Sequence, residues 1–250
     1  VIAEQFGTLA SIYPGRIELG LGRAPGTDQM TTRALRRDLL GSDDRFPQDV
    51  RELQHYFGPI QEGQVVRAIP GADTEVLIWI LGSSLYGAQL AAHFGLPYAF
   101  ASHFAPEQLL DAMSTYRELF KPSDKLAKPY CAFLMNVVAA DTDEEATHLF
   151  TTLQQNVIRM RRNTRGQLPP PIENIDDFCE PHEKMTAAQA LRCSAVGSLQ
   201  TVRKEMQYWL DQTGANEIII TGQIFDHQAR LKSFEIAAEA AKGLRFSSIA

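Results

Sequence analysis

Arg23 is the first residue of the chain whose type and position suggest chemistry. It ends the stretch Gly20-Leu21-Gly22-Arg23, directly after a short strand-like segment and among glycines. In parallel α/β folds the loops after the strands form the ligand face, and a guanidinium there suits a phosphate. The spacing equally allows a salt bridge between Arg23 and a neighbouring helix. Arg23 is therefore a candidate phosphate ligand.

The turn Gly82-Ser83-Ser84 is the second candidate. It follows an apolar run from Val76 to Leu81 and precedes an alanine-rich helix. Backbone N–H groups, serine hydroxyls and the positive end of the helix dipole converge at such a turn, which favours an anion. The competing interpretation is that Ser83 or Ser84 only caps the helix.

Ser102 and His103 lie at the end of a third predicted strand, which places them on the same ligand face. His103 could act as an acid or base, or hydrogen-bond a cofactor ring. It could equally cap the helix expected near Pro106. The six histidines form no metal constellation, so no metal site is predicted. Three cysteines without a C-x-x-C pair favour a reducing compartment.

Apolar strands and amphipathic helices alternate along the chain, which predicts an α/β fold with parallel strands. By strand count, an open doubly wound sheet and a barrel without its first three strands fit equally well. Five strands are predicted: Arg16 to Gly22, Val76 to Leu81, Pro97 to Ser102, Tyr130 to Val138 and Glu217 to Thr221. The helices are predicted within 1–12, 27–40, 47–57, 87–94, 106–120, 142–160, 196–213 and 226–241.

A polar stretch from Arg161 to Lys184 shows no periodicity. Long irregular segments in compact domains are usually lids or disordered excursions, and both interpretations stay open here. The first helix begins at Val1 without a capping residue, so we expect the natural chain to be longer. A formal charge of −6 and the absence of a long apolar run argue against nucleic acid and membrane partners.

Several of these motifs together resemble the luciferase-like flavin monooxygenases. Phe6-Gly7-Thr8-Leu9-Ala10-Ser11, leading into Gly15 to Arg23, resembles the helix and fourth strand of that family. The stretch Ile78 to Ser102 is similar to its fifth strand, phosphate turn, helix and sixth strand. The resemblance implies one (β/α)8 TIM-type barrel domain over 1–250 that lacks its first three strands, with 161–184 as the candidate lid.

The resemblance also implies which residues bind the flavin. Arg23 corresponds to the arginine that contacts the flavin phosphate, and Ser83, Ser84 and Gly87 correspond to the family's phosphate turn. Luciferase itself has an acidic residue at the Ser83 position and a threonine at the Gly87 position, so Gly87 could offer only its backbone. The end of the sixth strand, with Ser102 and His103, lies near the flavin ring in the family, although His103 has no assured catalytic counterpart.

The function implied is a cytoplasmic monooxygenase that uses reduced FMN and O2 to oxidise a small organic substrate. A separate reductase would supply the reduced flavin. Members of the family often dimerise, which favours a homodimer. Two alternatives share the fold: a deazaflavin-dependent oxidoreductase and a non-catalytic flavin-binding protein. A third is an unrelated open-sheet module that binds phosphate.

Overall fold

The computed structural model describes residues 1–23, 45–164 and 166–246. Helices and strands alternate within them, and the strand pairs run parallel. The chain divides into two compact units. The first unit comprises Val1–Ala99 with Thr115–Tyr130, and the second comprises Phe100–Ser114 with Cys131–Ala250. The α/β class predicted from the sequence is confirmed.

The first unit is built around two parallel strands, β1 (Glu18–Gly22) and β2 (Leu77–Gly82). A third strand, β3 (Tyr98–Phe100), begins in this unit. The Ile80 amide donates to the carbonyl of Pro97, just before β3, at 3.0 Å, which gives the strand order β1-β2-β3. The described residues of this unit form the helices α1 (Ile2–Ile12), α2 (Phe46–Phe57) and α3 (Leu85–Phe94).

Helix α3 packs on β2 because both elements present small or apolar residues. Ile78 and Ile80 are buried, as expected for a parallel strand with an unbroken apolar run. Ala88 and Ala91 of α3 are fully buried, so the helix lies close to the sheet. The helix ends at Gly95, whose φ of +62° lies in the left-handed region that favours glycine. Because α3 packs on β2 and follows it after two residues, the start of the helix lies beside the end of the strand.

The second unit is centred on β4 (Cys131–Ala139), in which every residue except Leu134 is buried. It pairs in parallel with β5 (Ser194–Gly197) along its second half and with β6 (Glu217–Thr221) along its first half. The helices α5 (Asp143–Arg161), α6 (Pro181–Ala190), α7 (Leu199–Thr213) and α8 (His227–Ala241) belong to this unit, and α4 (Leu109–Leu119) has residues in both units.

The segment 161–184 is more regular than its sequence indicated. It contains a 3-10 turn at Ile175–Asp177, and its last residues belong to α6, which begins at Pro181. Ile175 and Leu191 pack in an apolar cluster with Leu153 and Ile158 of α5. The prediction of an irregular stretch through Lys184 is therefore wrong for its last four residues. The lid function of the segment stays a prediction.

Helix α6 was missed because its sequence lacks the usual signals. Its buried residues are Ala187 and Ala190, which give no apolar stripe. Its N-cap is Glu180 rather than a serine, threonine, aspartate or asparagine, and it forms a reciprocal capping box with Glu183. The start of α6 was therefore hard to recognise from residue type alone.

Other boundaries differ by a few residues. The strand β5 was not predicted, and Val196, assigned to a helix, lies in that strand, with α7 starting at Leu199. Helix α3 starts at Leu85 rather than Gly87, and β3 ends at Phe100 rather than Ser102. The predicted helix 27–40 lies outside the described residues.

Candidate functional site

The parallel pairing of β1 with β2 brings two predicted site elements to the same edge of the first unit. In the register of this pair Gly22 lies opposite Leu81, the last residue but one of β2. Arg23 and Gly82 follow directly, at the carboxyl ends of the two strands. The edge that binds ligands in parallel α/β folds therefore carries both Arg23 and the turn that begins at Gly82.

The guanidinium of Arg23 lies over the aromatic ring of Tyr86, with the Cζ atom 4.2 Å from the ring centroid. Tyr86 is in the first turn of α3. Within 1–23, 45–164 and 166–246, no ion pair involves Arg23. The salt bridge considered for this arginine is thus not found among those residues, and its in-plane N–H donors are not paired with a carboxylate there.

Ser84 occupies the N-cap position of α3 without capping it through its side chain. Its φ of −152° and ψ of 170° are those of an N-cap, yet its side chain makes no hydrogen bond to the backbone of the first turn. Thr142 and Asp226, by contrast, accept from the N–H groups of the first turns of α5 and α8. Capping alone therefore does not explain Ser84. Ser83, the residue before it, is exposed.

Two glycines make the turn compact. A Cβ atom placed on Gly87 would lie 3.2 Å from the ring of Tyr98 and 3.3 Å from the Cα of Gly82. Gly87 is buried, and the Tyr98 hydroxyl donates to the carbonyl of Ser84 at 3.3 Å. A larger side chain at position 87 would push against a buried ring. Gly87 can thus offer a ligand only its backbone.

The electrostatics of this edge favour an anion. The first turn of α3 contains no acidic residue, and the partial positive charge of its N–H groups adds to the full charge of Arg23. Serine hydroxyls and a guanidinium are directional donors of the kind that bind phosphate oxygens. The residues present therefore fit a phosphate group.

Ser102 lies in the second unit and is fully buried. Its hydroxyl donates to the carbonyl of Leu134 at 2.5 Å. The proton of this hydroxyl is therefore used within the protein, and Ser102 could serve a ligand only as an acceptor. Its assignment to a cofactor site stays a prediction.

His103, also in the second unit, is half-buried, and its Nδ1 is buried without a hydrogen-bond partner among the described residues. Burial lowers the pKa of this imidazole below the ordinary value of 6.5. The 3-10 turn that begins at Pro106 has Ala105 as its N-cap and no side-chain cap bond, so the capping role considered for His103 is wrong. His103 is therefore a neutral imidazole whose Nδ1 has no hydrogen-bond partner among the described residues.

Asn136 was not recognised from the sequence. It is buried in β4, and its Nδ2 donates to the carbonyl of His103 at 2.6 Å and to the hydroxyl of Ser194 at 3.3 Å. The sequence signal for a buried polar role was that Asn136 is the one amide residue within the apolar run Cys131 to Val138. Asn136 thus holds the backbone at His103.

Tyr86 was also missed. Its position within the Gly82 to Gly87 motif was visible, but its contact with a residue 63 positions earlier depends on the pairing of β1 with β2.

Among the described residues, the cysteines and acidic side chains form no further candidate centre. Cys131 and Cys193 are buried cysteines outside any disulfide, and burial raises the pKa of Cys193 to about 11, so its reactive thiolate is scarce near neutral pH. In the described part of the chain, no group of three or more histidine, cysteine or carboxylate side chains could hold a metal ion. The helices described there are too short or too polar to cross a membrane.

Comparison with known proteins identifies relatives over nearly the whole chain. The profile of a family described as luciferase-like monooxygenase matches residues 1–217. A protein of Escherichia coli K12 named luciferase-like monooxygenase is 53% identical over 244 residues, which cover 98% of this chain and 73% of that protein. The crystal structure of apo-MsnO8 is 32% identical with a TM-score of 0.87, and the match covers 96% of this chain and 73% of that one.

More distant structures share the fold alone, and they are described with two different cofactors. The oxygenating constituent of 3,6-diketocamphane monooxygenase from Pseudomonas putida, in complex with FMN, is 17% identical with a TM-score of 0.63 over 98% of this chain and 76% of that one. An F420-dependent secondary alcohol dehydrogenase is 15% identical with a TM-score of 0.64 over 96% and 74%.

Proposed function

Because the chain belongs to the luciferase-like monooxygenase family, we propose that it uses reduced FMN and O2 to oxidise a small organic substrate. The monooxygenase class comes from the family, whereas FMN, the substrate class and the site residues are part of the proposal. The observation that carries it is the contact of the Arg23 guanidinium with Tyr86 in the first turn of α3, beside a serine turn in which Ser84 makes no side-chain hydrogen bond to that helix.

In this proposal the first unit holds the phosphate of FMN. Arg23 makes the charge-assisted contact, Ser83 and Ser84 donate from their hydroxyls, and the backbone at Gly87 contributes an N–H group. A phosphate fits this edge because it can accept from all these donors at once. When bound, the reduced flavin supplies the electrons that activate O2, and the protein supplies binding, orientation and exclusion of water.

Two features of the second unit have proposed roles in the reaction. His103, as a neutral imidazole, would donate or accept a hydrogen bond through Nδ1, with the flavin ring or the substrate as its partner. The buried Ser102 would accept a hydrogen bond from the same ligands. The segment 161–184 would act as a lid that excludes water, anchored where Ile175 packs against α5. A separate flavin reductase, a homodimeric assembly and a cytoplasmic location complete the proposal.

The experiment that tests the function measures oxygen consumption by the protein with chemically reduced FMN. Aldehydes, thioethers and ketones are supplied in turn, and the products are examined for an oxygen atom from labelled O2. We expect incorporation into at least one substrate class. FMN binding without turnover for any substrate would favour a non-catalytic flavin-binding protein, and binding of reduced deazaflavin with no reaction with oxygen would favour a hydride-transfer enzyme.

A further inference from the structure

Tyr86 is not among the residues proposed to bind the phosphate, but its ring contacts Arg23, the charged residue of that site. The Arg23 guanidinium lies 4.2 Å from the centre of its ring, within the distance at which an arginine cation is attracted to an aromatic face. We propose that Tyr86 is a positioning residue, which orients Arg23 for the phosphate of FMN. This inference rests on the proposed function.

Among the described residues, the ring of Tyr86 is the support that the structure gives Arg23. The arginine follows Gly22, which has no side chain to pack against it, and Arg23 itself is exposed. A free arginine side chain samples many rotamers, and fixing it in one of them costs entropy when the ligand binds. A ring beside the guanidinium removes part of that cost before the ligand arrives.

The geometry of stacking suits this purpose better than an ion pair would. An aromatic ring interacts with the face of the guanidinium, whereas the five N–H donors of the group point outward in its plane. The contact with Tyr86 is made with a ring, so it engages none of those donors in an ion pair. A carboxylate partner would engage two of them and offset the positive charge.

The position of Tyr86 also directs the arginine to the correct end of the helix. Ser84 is the N-cap of α3, and Tyr86 lies two residues further on, in the first turn. The ring that holds Arg23 thus belongs to the same turn whose N–H groups are proposed to bind the phosphate. Helix and guanidinium are held together by one side chain.

The test compares the affinities for FMN and for riboflavin, which differ only in the phosphate. Tyr86→Leu should weaken FMN binding about three- to fivefold, the effect expected of an exposed cation–π contact, and leave riboflavin binding unchanged. Tyr86→Phe keeps the ring and should restore FMN affinity. Tyr86→Met serves as a second variant without a ring, should Tyr86→Leu fail to fold. Flavin titration by fluorescence quenching measures both ligands.

The chain offers a matched control at the other end of the same helix. The guanidinium of Arg51 lies 4.9 Å from the ring centre of Phe94, the last residue of α3. Phe94→Leu removes a ring from beneath an arginine there, away from the turn. It should leave the ratio of FMN to riboflavin affinity unchanged.

A double-mutant comparison separates positioning from a general effect on the site. In the Arg23→Ala background, Tyr86→Leu should cause no further loss of FMN affinity, because the residue acts through the arginine. A loss that is additive, or that affects riboflavin equally, or that Tyr86→Phe does not restore, would overturn the inference. If Arg23→Ala itself leaves FMN affinity unchanged, the proposed phosphate site fails, and the role of Tyr86 fails with it.

Discussion

The side-chain amide of Asn136 in β4 donates a hydrogen bond to the backbone carbonyl of His103 at 2.6 Å. Both residues lie in the second unit, and Asn136 is almost completely buried. The same amide reaches the hydroxyl of Ser194 in β5. One side chain therefore connects the loop after β3 to two strands and fixes the backbone from which the imidazole of His103 extends.

Replacing Asn136 should destabilise the protein. Asn136→Leu removes the donor and leaves the partly buried carbonyl of His103 without this hydrogen bond, which costs about 1–3 kcal/mol. Chemical denaturation in urea measures the change in the free energy of unfolding. Gln200→Ala, an exposed substitution in α7, provides the control and should change the free energy by less than about 0.5 kcal/mol. Equal stability of Asn136→Leu and the control would mean that the hydrogen bond contributes nothing.

His103 should make stability depend on pH. Burial lowers its pKa, so the folded protein binds fewer protons than the unfolded chain when the pH lies between the folded pKa and 6.5. The contribution of His103 to stability is therefore constant above pH 6.5 and falls as the pH decreases through that window. His103→Asn should reduce the loss of stability between pH 7.5 and pH 5.5, measured by urea denaturation. The exposed His182→Asn serves as the control, and an identical pH dependence in wild type and His103→Asn would contradict the assignment.

A threonine at position 87, as luciferase has, should destabilise this chain. The Cβ and the branched atoms would press on the ring of Tyr98 and the backbone of Gly82, and overpacking of this kind costs about 1–3 kcal/mol. Gly166→Thr is the matched control, since a Cβ there meets no atom within 4 Å. Thermal and urea denaturation of both variants make the comparison. If Gly87→Thr were as stable as Gly166→Thr, the turn would be looser than its geometry indicates.

The segment 161–184 should loosen when Glu183 loses its charge. This carboxylate accepts two hydrogen bonds from Arg162, at 2.5 and 2.7 Å, and one from the backbone of Glu180. These bonds lower the pKa of Glu183 to about 2 from 4.5, so their stabilisation is present above pH 4.5 and is lost as the pH falls toward 2. Glu183→Gln should speed amide hydrogen exchange in the segment at pH 7, whereas the exposed Glu173→Gln should not. Unchanged exchange in Glu183→Gln would show that the ion pair does not hold the segment.

The sequence was most informative where one residue pattern implies one structure. The apolar runs of β2 and β4, the acidic start of α5 after Thr142 and the cap of α8 at Asp226 each carry a local signal, and the structure has these elements within one or two residues of their predicted bounds. The short strand β5 and the alanine-rich α6 lack such a signal. They are stabilised by tertiary contacts, with β4 and with the apolar face of α5 respectively.

In the candidate site, too, the residues with a local sequence signal were predicted and the contacts without one were not. Arg23 and the turn at Gly82 were predicted because strand ends and helix starts are recognisable, and the family pattern joined them. The stacking of Arg23 on Tyr86 and the bond from Asn136 to His103 join residues that are far apart in the chain. No spacing rule predicts such contacts, because they depend on the register of paired strands.

The proposed grip on the flavin phosphate is tested most directly by titrating wild type and Arg23→Ala with FMN and with riboflavin. Arg51→Ala, which removes the arginine stacked at the far end of α3, is the control. The proposal predicts that Arg23→Ala binds FMN about 10- to 150-fold more weakly, the loss expected for hydrogen bonds to a charged group, with riboflavin unaffected. Undiminished FMN affinity in Arg23→Ala, or an equal loss for riboflavin, would contradict it.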